Sequence, residues 1–234
     1  MKKISIKLNK VSKTYYIGEI GLKRLFNKDV KKINALNNLN LNIYEGDILG
    51  VLGTNGSGKS TLLKLISGIV MPTSGSIFVK YKITSMIEFS YGFHEEMNGM
   101  ENVFFVGSLF GKKKAEMKKK IQSIFEFANL VKFIDTPLKR YTPGMLARLG
   151  FSIALHIKNE ILIIDETLSV LDDLFINKVF KAIKNSFFKT VIIVGHDIKL
   201  ISSLCNRGIL LNKGNLILDG RIKKVVKKYK DHNF

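Results

Sequence analysis

Between Gly53 and Thr61 the chain reads Gly53-Thr54-Asn55-Gly56-Ser57-Gly58-Lys59-Ser60-Thr61, which fits the phosphate-loop pattern G-x-x-x-x-G-K-[ST]. Glycines let consecutive backbone N–H groups turn inward around phosphate oxygens. A helix that follows presents its positive end to the same anion. On this reading Lys59 reaches the β- and γ-phosphates of a nucleotide, and Ser60 offers its hydroxyl to Mg²⁺. A second cluster, Ile161-Leu162-Ile163-Ile164-Asp165-Glu166, puts two carboxylates at the end of an apolar run. Asp165 is expected to hold Mg²⁺, directly or through water, and Glu166 to polarise a water attacking the γ-phosphate. A third apolar run ends in Val194-Gly195-His196-Asp197. His196 is a candidate γ-phosphate contact, because parallel strands deliver their C-terminal ends to one edge. Each feature has a plainer reading: an acidic turn in solvent, or a structural histidine.

These residues need elements to position them. Ile48 to Leu52 is a short continuous apolar run, as expected of a strand buried on both faces, and a helical pattern opens near Lys59 and closes at Gly68. Ile4–Val11 and Asn40–Tyr44 alternate like half-buried strands, and short strands follow Ser74-Gly75 through Ile87. Ile161–Ile164 and Val191–Val194 read as further buried strands. Glu101–Ala128 and Leu146–Ile157 read as helices. Strands alternating with helices predict an α/β fold with a parallel sheet covered on both faces. The mostly helical stretch from about 89 to 150 is expected to be a lobe inserted into that core.

The 234 residues are 46% hydrophobic, enough for a sizeable core and against wholesale disorder. Lys+Arg 38 against Asp+Glu 19 leave a net charge of +19. Only Arg24, Arg140, Arg148, Arg207 and Arg221 are arginines, whereas base readers lean on that residue. The charge is therefore read first as a surface field, one that acidic lipid could face, or as a compositional habit. Nucleic-acid binding is not expected. Lys112–Lys120 and Lys223–Lys230 are expected to be solvated helix faces. Cys205 stands alone, the opening MKKISIKLNK has no apolar leader core, and no apolar run approaches the roughly 18 residues of a membrane span. The expectation is an intracellular chain that does not cross a bilayer by itself.

Together these features resemble the nucleotide-binding subunit of an ABC transporter, across essentially the whole chain. The resemblance implies a single ATPase domain over 1–234: an N-terminal antiparallel β portion, a parallel-sheet core and the inserted helical lobe. It implies that Tyr15 stacks on adenine, with Tyr16 as the fallback, and that Asp172, in Ser169-Val170-Leu171-Asp172, is the acidic residue of a loop at the dimer interface. His196 takes the switch-histidine position. Tyr141-Thr142-Pro143-Gly144-Met145 resembles the signature that binds the nucleotide of a second copy. There the Thr142 hydroxyl and the Gly144 N–H supply donors, while Pro143 has none. Glu88 occupies the approximate place of the family's loop glutamine. The wording from Glu88 through Gly92-Phe93-His94, Glu96, Gly99 and Glu101-Asn102 is similar to one branch, the exporters of teichoic acid, O-antigen and capsule.

That branch implies ATP and Mg²⁺ as cofactors, a multi-span permease and a second copy of the chain as partners, and the cytoplasmic face of the bacterial inner membrane as the location. His94 would belong to the surface facing the permease. The residues from Ile17 to Asn34 form an insertion, read either as a short basic amphipathic helix at the membrane surface or as a solvated loop. No C-terminal carbohydrate-binding domain is expected. The rival readings are an exporter of drugs or lipids, and a soluble ABC-type ATPase acting on ribosomes or nucleic acid.

Overall fold

The computed structural model describes residues 2–17, 31–86, 92–165, 170–195 and 197–231. The chain opens with β1 (Ile4–Ile17), β2 (Lys31–Tyr44), β3 (Ile48–Leu52), α1 (Lys59–Ile66) and β4 (Ser74–Val79). It continues with β5 (Ile83–Ser85), α2 (Gly99–Leu109), α3 (Lys114–Lys118), α4 (Ile121–Ala128), α5 (Pro143–Ile157), β6 (Ile161–Ile164), α6 (Asp173–Lys184), β7 (Thr190–Val194) and α7 (Ile198–Leu204). It closes with β8 (Arg207–Asn212), β9 (Asn215–Arg221) and α8 (Ile222–Asp231). Two compact units result: Met1–Lys80 with Cys205–Phe234, and Tyr81–Leu204.

In the first unit β1 pairs antiparallel with β2 on one side and β4 on the other. Ile6, Leu8 and Val11 of β1 are buried, as are Leu36, Leu39, Leu41 and Ile43 of β2. Both strands run further than their alternation predicts. Thr14, Tyr15, Tyr16 and Ile17 pair with Asn34, Ile33, Lys32 and Lys31. Residues 31–34 of the expected insertion are therefore strand, and their side chains, all exposed and only Ile33 apolar, are why no buried face announced them. The remainder, 18–30, lies outside the described residues. β3 pairs parallel with β8, which pairs antiparallel with β9 through a two-residue turn, Lys213-Gly214, with positive φ at both positions. α8 seats Ile222, Val225 and Val226 inward, while Lys223, Lys224, Lys227 and Lys230 stay exposed. Buried Cys205 has its thiol pushed up to about 12 by desolvation, which leaves it inert.

Arg207 ties this unit together. Its guanidinium donates to Asp47 Oδ2 at 2.6 Å and, through Nε and Nη2, to both oxygens of Asp219 at 2.8 and 2.6 Å.

In the second unit β5, β6 and β7 pair in parallel, in that order. Every residue of β6 and β7 is buried, as expected of strands covered on both faces. The helical stretch predicted over Glu101–Ala128 is three helices, broken at Gly111 (φ +71°) and at Lys119-Lys120. Lys120 departs from the solvated face expected of it: its ammonium donates to the His156 carbonyl at 3.0 Å and pairs with Glu116 at 2.6 Å. α5 begins at Pro143, three residues before the predicted start. Thr142 caps it, and proline at the first helical position gives up only an N–H that would have no partner in the helix.

Candidate functional site

The phosphate loop lies in the first unit, between β3 and α1, and its backbone follows from its glycines. Gly53, Gly56 and Gly58 have φ of +154°, +75° and +105°. A Cβ on Gly58 would stand 2.5 Å from the Ala35 carbonyl oxygen and 2.8 Å from Leu36 Cδ2. One on Gly53 would stand 2.4 Å from the Leu211 carbonyl oxygen. The loop thus sits hard against β2 and β8 where only hydrogen fits. The turn after β8 supports it as well: Gly214 N–H donates to Ser57 O at 3.0 Å, and Asn37 N–H donates to Gly214 O at 2.9 Å.

Lys59 is buried, and its ammonium donates to the carbonyls of Gly53 and Thr54, both at 2.9 Å, across the mouth of the loop. α1 has no side-chain cap. Leu62 N–H bonds Gly58 O, so the Ser60 and Thr61 N–H groups point out of the helix start with no acceptor among the described residues. The Ser57 hydroxyl is buried with no partner there. Unfilled donors at a helix start, beside a buried ammonium, make an anion cradle that fits a phosphate chain. The Ser60 side chain is exposed, free to reach an ion carried on that chain. Among the described residues no group of three or more His, Cys, Asp or Glu forms a metal cage. A sparse oxygen set suits Mg²⁺ arriving with phosphates.

Tyr15 and Tyr16 of β1 point to opposite faces of their sheet. Tyr15 is half-buried, with Lys13 Nζ 5.1 Å from its ring centre; Tyr16 is exposed, with Lys32 Nζ at 5.7 Å. Lys13 pairs across with Leu36, the residue that meets Gly58, and Tyr15 with Ile33. Tyr15 therefore lies two residues along β1 from the one whose partner bears on the loop.

The second unit carries the remaining candidates. Asp165 follows β6 and is half-exposed. Glu88, Glu166, Ser169 and His196 lie outside the described residues. Thr142 Oγ1 accepts the Met145 N–H at 3.2 Å, which leaves its own proton available to donate. Leu146 N–H bonds Thr142 O, Pro143 has no N–H, and the Gly144 N–H has no acceptor among the described residues. The two donors expected of this segment are thus both available. Tyr141 plays a different part: it is buried, and its hydroxyl donates to Phe133 O at 2.7 Å. Burial, with the Asp135 charge, pushes its phenol up to about 12.

The motif preceding α2 is strapped to the signature. Asn102 is fully buried, accepts the His94 N–H at 2.8 Å and donates to the carbonyls of His94, Met97 and Asn98. Asn98 and Glu101 form a reciprocal cap on α2. Lys139 pairs with Glu96 at 2.7 Å, and Leu138 N–H bonds Met97 O at 3.0 Å. Gly99 is needed here for close approach, since a Cβ would stand 2.6 Å from Tyr141 Oη. Beside these residues a largely apolar cavity of about 390 Å³ is lined by Phe93, Leu138, Tyr141, Pro143, Leu146 and Val170, among others.

Sequence reasoning missed Arg148. Its guanidinium pairs with Asp172 and lies 5.4 Å from the Phe175 ring centre. Asp172 also caps α6, accepting the Phe175 N–H at 2.9 Å. That cap, and then Arg148, hold its carboxyl below the usual range. Nothing local flags a pair 24 residues apart.

The family profile described as ABC transporter matches residues 36–169, more than half of the chain. The chain is similar to the teichoic acids export ATP-binding protein TagH of Enterococcus faecalis, 37% identical over 98% of this chain and 53% of that protein. It is also similar to the O-antigen export system ATP-binding protein RfbB of Klebsiella pneumoniae, 35% identical over 86% of this chain and 82% of that one. The first three curated relatives are spanned over only 66%, 53% and 39% of their own lengths. Among solved structures, the dimeric post-hydrolysis state of the ATP-binding cassette MJ0796, bound to ADP and Pi, superposes with a TM-score of 0.78. It is 25% identical and covers 93% of this chain and 98% of that one.

Proposed function

The chain belongs to the ABC transporter family, and from that premise we propose that it is the ATP-binding and ATP-hydrolysing subunit of an exporter. Its cargo is a lipid-linked cell-surface polysaccharide of the teichoic acid, O-antigen or capsule type, moved outward through a separate multi-span permease. The observation that carries the reading is the phosphate loop, a cradle of unfilled N–H donors around a buried lysine. The names of two relatives support the cargo class, as does the Gly92–Asn102 wording.

In this reading the donors of Gly53–Thr61 wrap the phosphates of ATP, Lys59 turns from its loop carbonyls to the β- and γ-phosphates, and Tyr15 stacks on adenine. Ser60 and Asp165 would hold Mg²⁺, which neutralises phosphate charge when bound. Glu166 orients and polarises the attacking water, and His196 contacts the γ-phosphate. Thr142 and Gly144 donate to the γ-phosphate held by a second copy, with Asp172 beside that interface, and Glu88 stands in for the loop glutamine. Two copies close head to tail over two ATP molecules, and the 89–102 region passes the closure to the permease at the cytoplasmic face of the cell membrane.

Two experiments test this. Glu166→Gln should keep ATP binding and abolish most turnover; full activity would remove Glu166 from its role. A tagged chain recovered from detergent-solubilised native membranes should bring a small multi-span permease with it. Ribosomal or nucleic-acid partners alone would defeat the transporter reading, and a permease lying among drug- or lipid-export genes would defeat the cargo.

A further inference from the structure

We propose that Lys13 is a positioning residue for the base of the nucleotide: its ammonium covers one face of the Tyr15 ring and fixes that ring so that adenine stacks on the other. The proposal rests on the nucleotide-binding reading above and adds to it a residue that lies before the family-matched span 36–169.

Three bonds sew β1 to the segment that follows α1. Thr73 N–H donates to Ser12 O at 2.8 Å, and Thr14 N–H donates to Thr73 Oγ1 at 3.0 Å. Between them Lys13 Nζ donates to Met71 O at 2.8 Å. The same segment is joined to α1, where the Ile69 and Val70 N–H groups both return to Lys64 O. Lys13 therefore reaches from the strand that carries Tyr15 to the far end of the helix whose start faces the phosphates. Held by that carbonyl, its ammonium lies 5.1 Å from the Tyr15 ring centre, within the range of a cation–π contact. The contact takes one face of the ring and leaves the other for a base.

Stability is a poor explanation for this placement. Met71 is exposed, so water could serve its carbonyl, and a lysine gives up rotamer freedom to do so. The electronic effect on the ring is a better one. Two stacked rings repel through their negative faces. An ammonium on the far face draws electron density away from the near one, which eases that repulsion. Tyr16 lacks the same support. It is exposed, and its cation, Lys32, is itself exposed and donates no hydrogen bond among the described residues.

The test titrates the full chain by calorimetry with Mg-ADP and with magnesium pyrophosphate, which share their phosphates and differ by the nucleoside. Lys13→Met keeps the apolar stem and removes the charge. Its Kd for ADP should rise about fivefold, while its Kd for pyrophosphate moves less than about twofold. A guanidinium also stacks on a ring, so Lys13→Arg should stay within about twofold of wild type on both ligands. Tyr15→Ala should lose the preference for ADP over pyrophosphate, and adding Lys13→Met to it should cost nothing more. Tyr16→Ala should match wild type. An unchanged ADP constant in Lys13→Met would overturn the proposal, as would equal losses on the two ligands or a full further loss in the double variant. If Lys13→Met fails to fold, Lys13→Gln, which can still donate to Met71 O, is judged by the same split between ligands. A wild-type chain that binds pyrophosphate as tightly as ADP defeats the stacked base and the proposal, and leaves the phosphate cradle standing. One that binds neither defeats the nucleotide reading and the proposal together.

Discussion

Alanine at Gly58 and alanine at Gly56 should behave very differently, although both glycines belong to one loop and both have positive φ. At Gly56 (φ +75°) a Cβ would meet nothing within 4 Å. Only the left-handed backbone is penalised there, by about 1–2 kcal/mol. At Gly58 the φ of +105° is worse for an L side chain, about 1–3 kcal/mol. The Cβ would also press within 2.5 Å of the Ala35 carbonyl oxygen, in a strand paired to β1 along its length. That crowding adds about 1–3 kcal/mol more. The difference between the variants is then a few kcal/mol. At about 2–4 °C per kcal/mol for a chain of this size, Gly58→Ala should melt roughly 5–10 °C below Gly56→Ala. Because relief of the clash must move the N–H groups of the cradle, Gly58→Ala should also lose most ATP affinity, read by titration with a fluorescent nucleotide. Equal melting temperatures and equal affinities would refute the argument that β2 holds the loop in shape.

Three further outcomes follow from the geometry. Aspartate is as good a helix cap as threonine, so Thr142→Asp should leave the melting temperature unchanged. It should abolish ATP-driven dimerisation, measured by size-exclusion chromatography with light scattering, since on the proposed function the new charge faces a γ-phosphate. The buried Tyr141 phenol is pushed up to about 12, against about 10 in the unfolded chain. Stability should thus hold to about pH 10 and fall as pH rises towards 12, a slope that denaturant titrations of Tyr141→Phe should lack. Arg207→Met strips the Asp47 carboxylate, only 5% exposed, of its cation. It should cost about 3–5 kcal/mol in chemical denaturation, part of which Asp47→Asn restores.

The sequence exposes the phosphate loop because its geometry demands glycine at fixed places, and it exposes β3, β6 and β7 because strands buried on both faces are apolar throughout. It hides what depends on partners far along the chain. The outer halves of β1 and β2 are half-buried or exposed and largely polar, so their pairing leaves no periodic trace. In α8 the lysines mask Ile222, Val225 and Val226, which sit at helical spacing. Lys120 looks like one more solvated lysine until its carbonyl partner is placed. Arg148 and Asp172 are ordinary residues apart, and become an ion pair only when α5 and α6 are packed. The Tyr141–Met145 segment was singled out by resemblance, whereas its open donors become visible only once Pro143 is placed at the first turn of α5 with Thr142 as the cap.

The floor of the phosphate loop is supplied late. Gly53 rests on Leu211, and Ser57 accepts from Gly214, more than 150 residues after the loop has left the ribosome. During synthesis the whole Tyr81–Leu204 unit emerges between the loop and its support. A nascent chain stalled anywhere in that stretch carries the complete nucleotide-binding motif and none of the β8–β9 backbone that shapes it. Nucleotide capture must therefore wait for the β8–β9 hairpin, however early the loop itself is made.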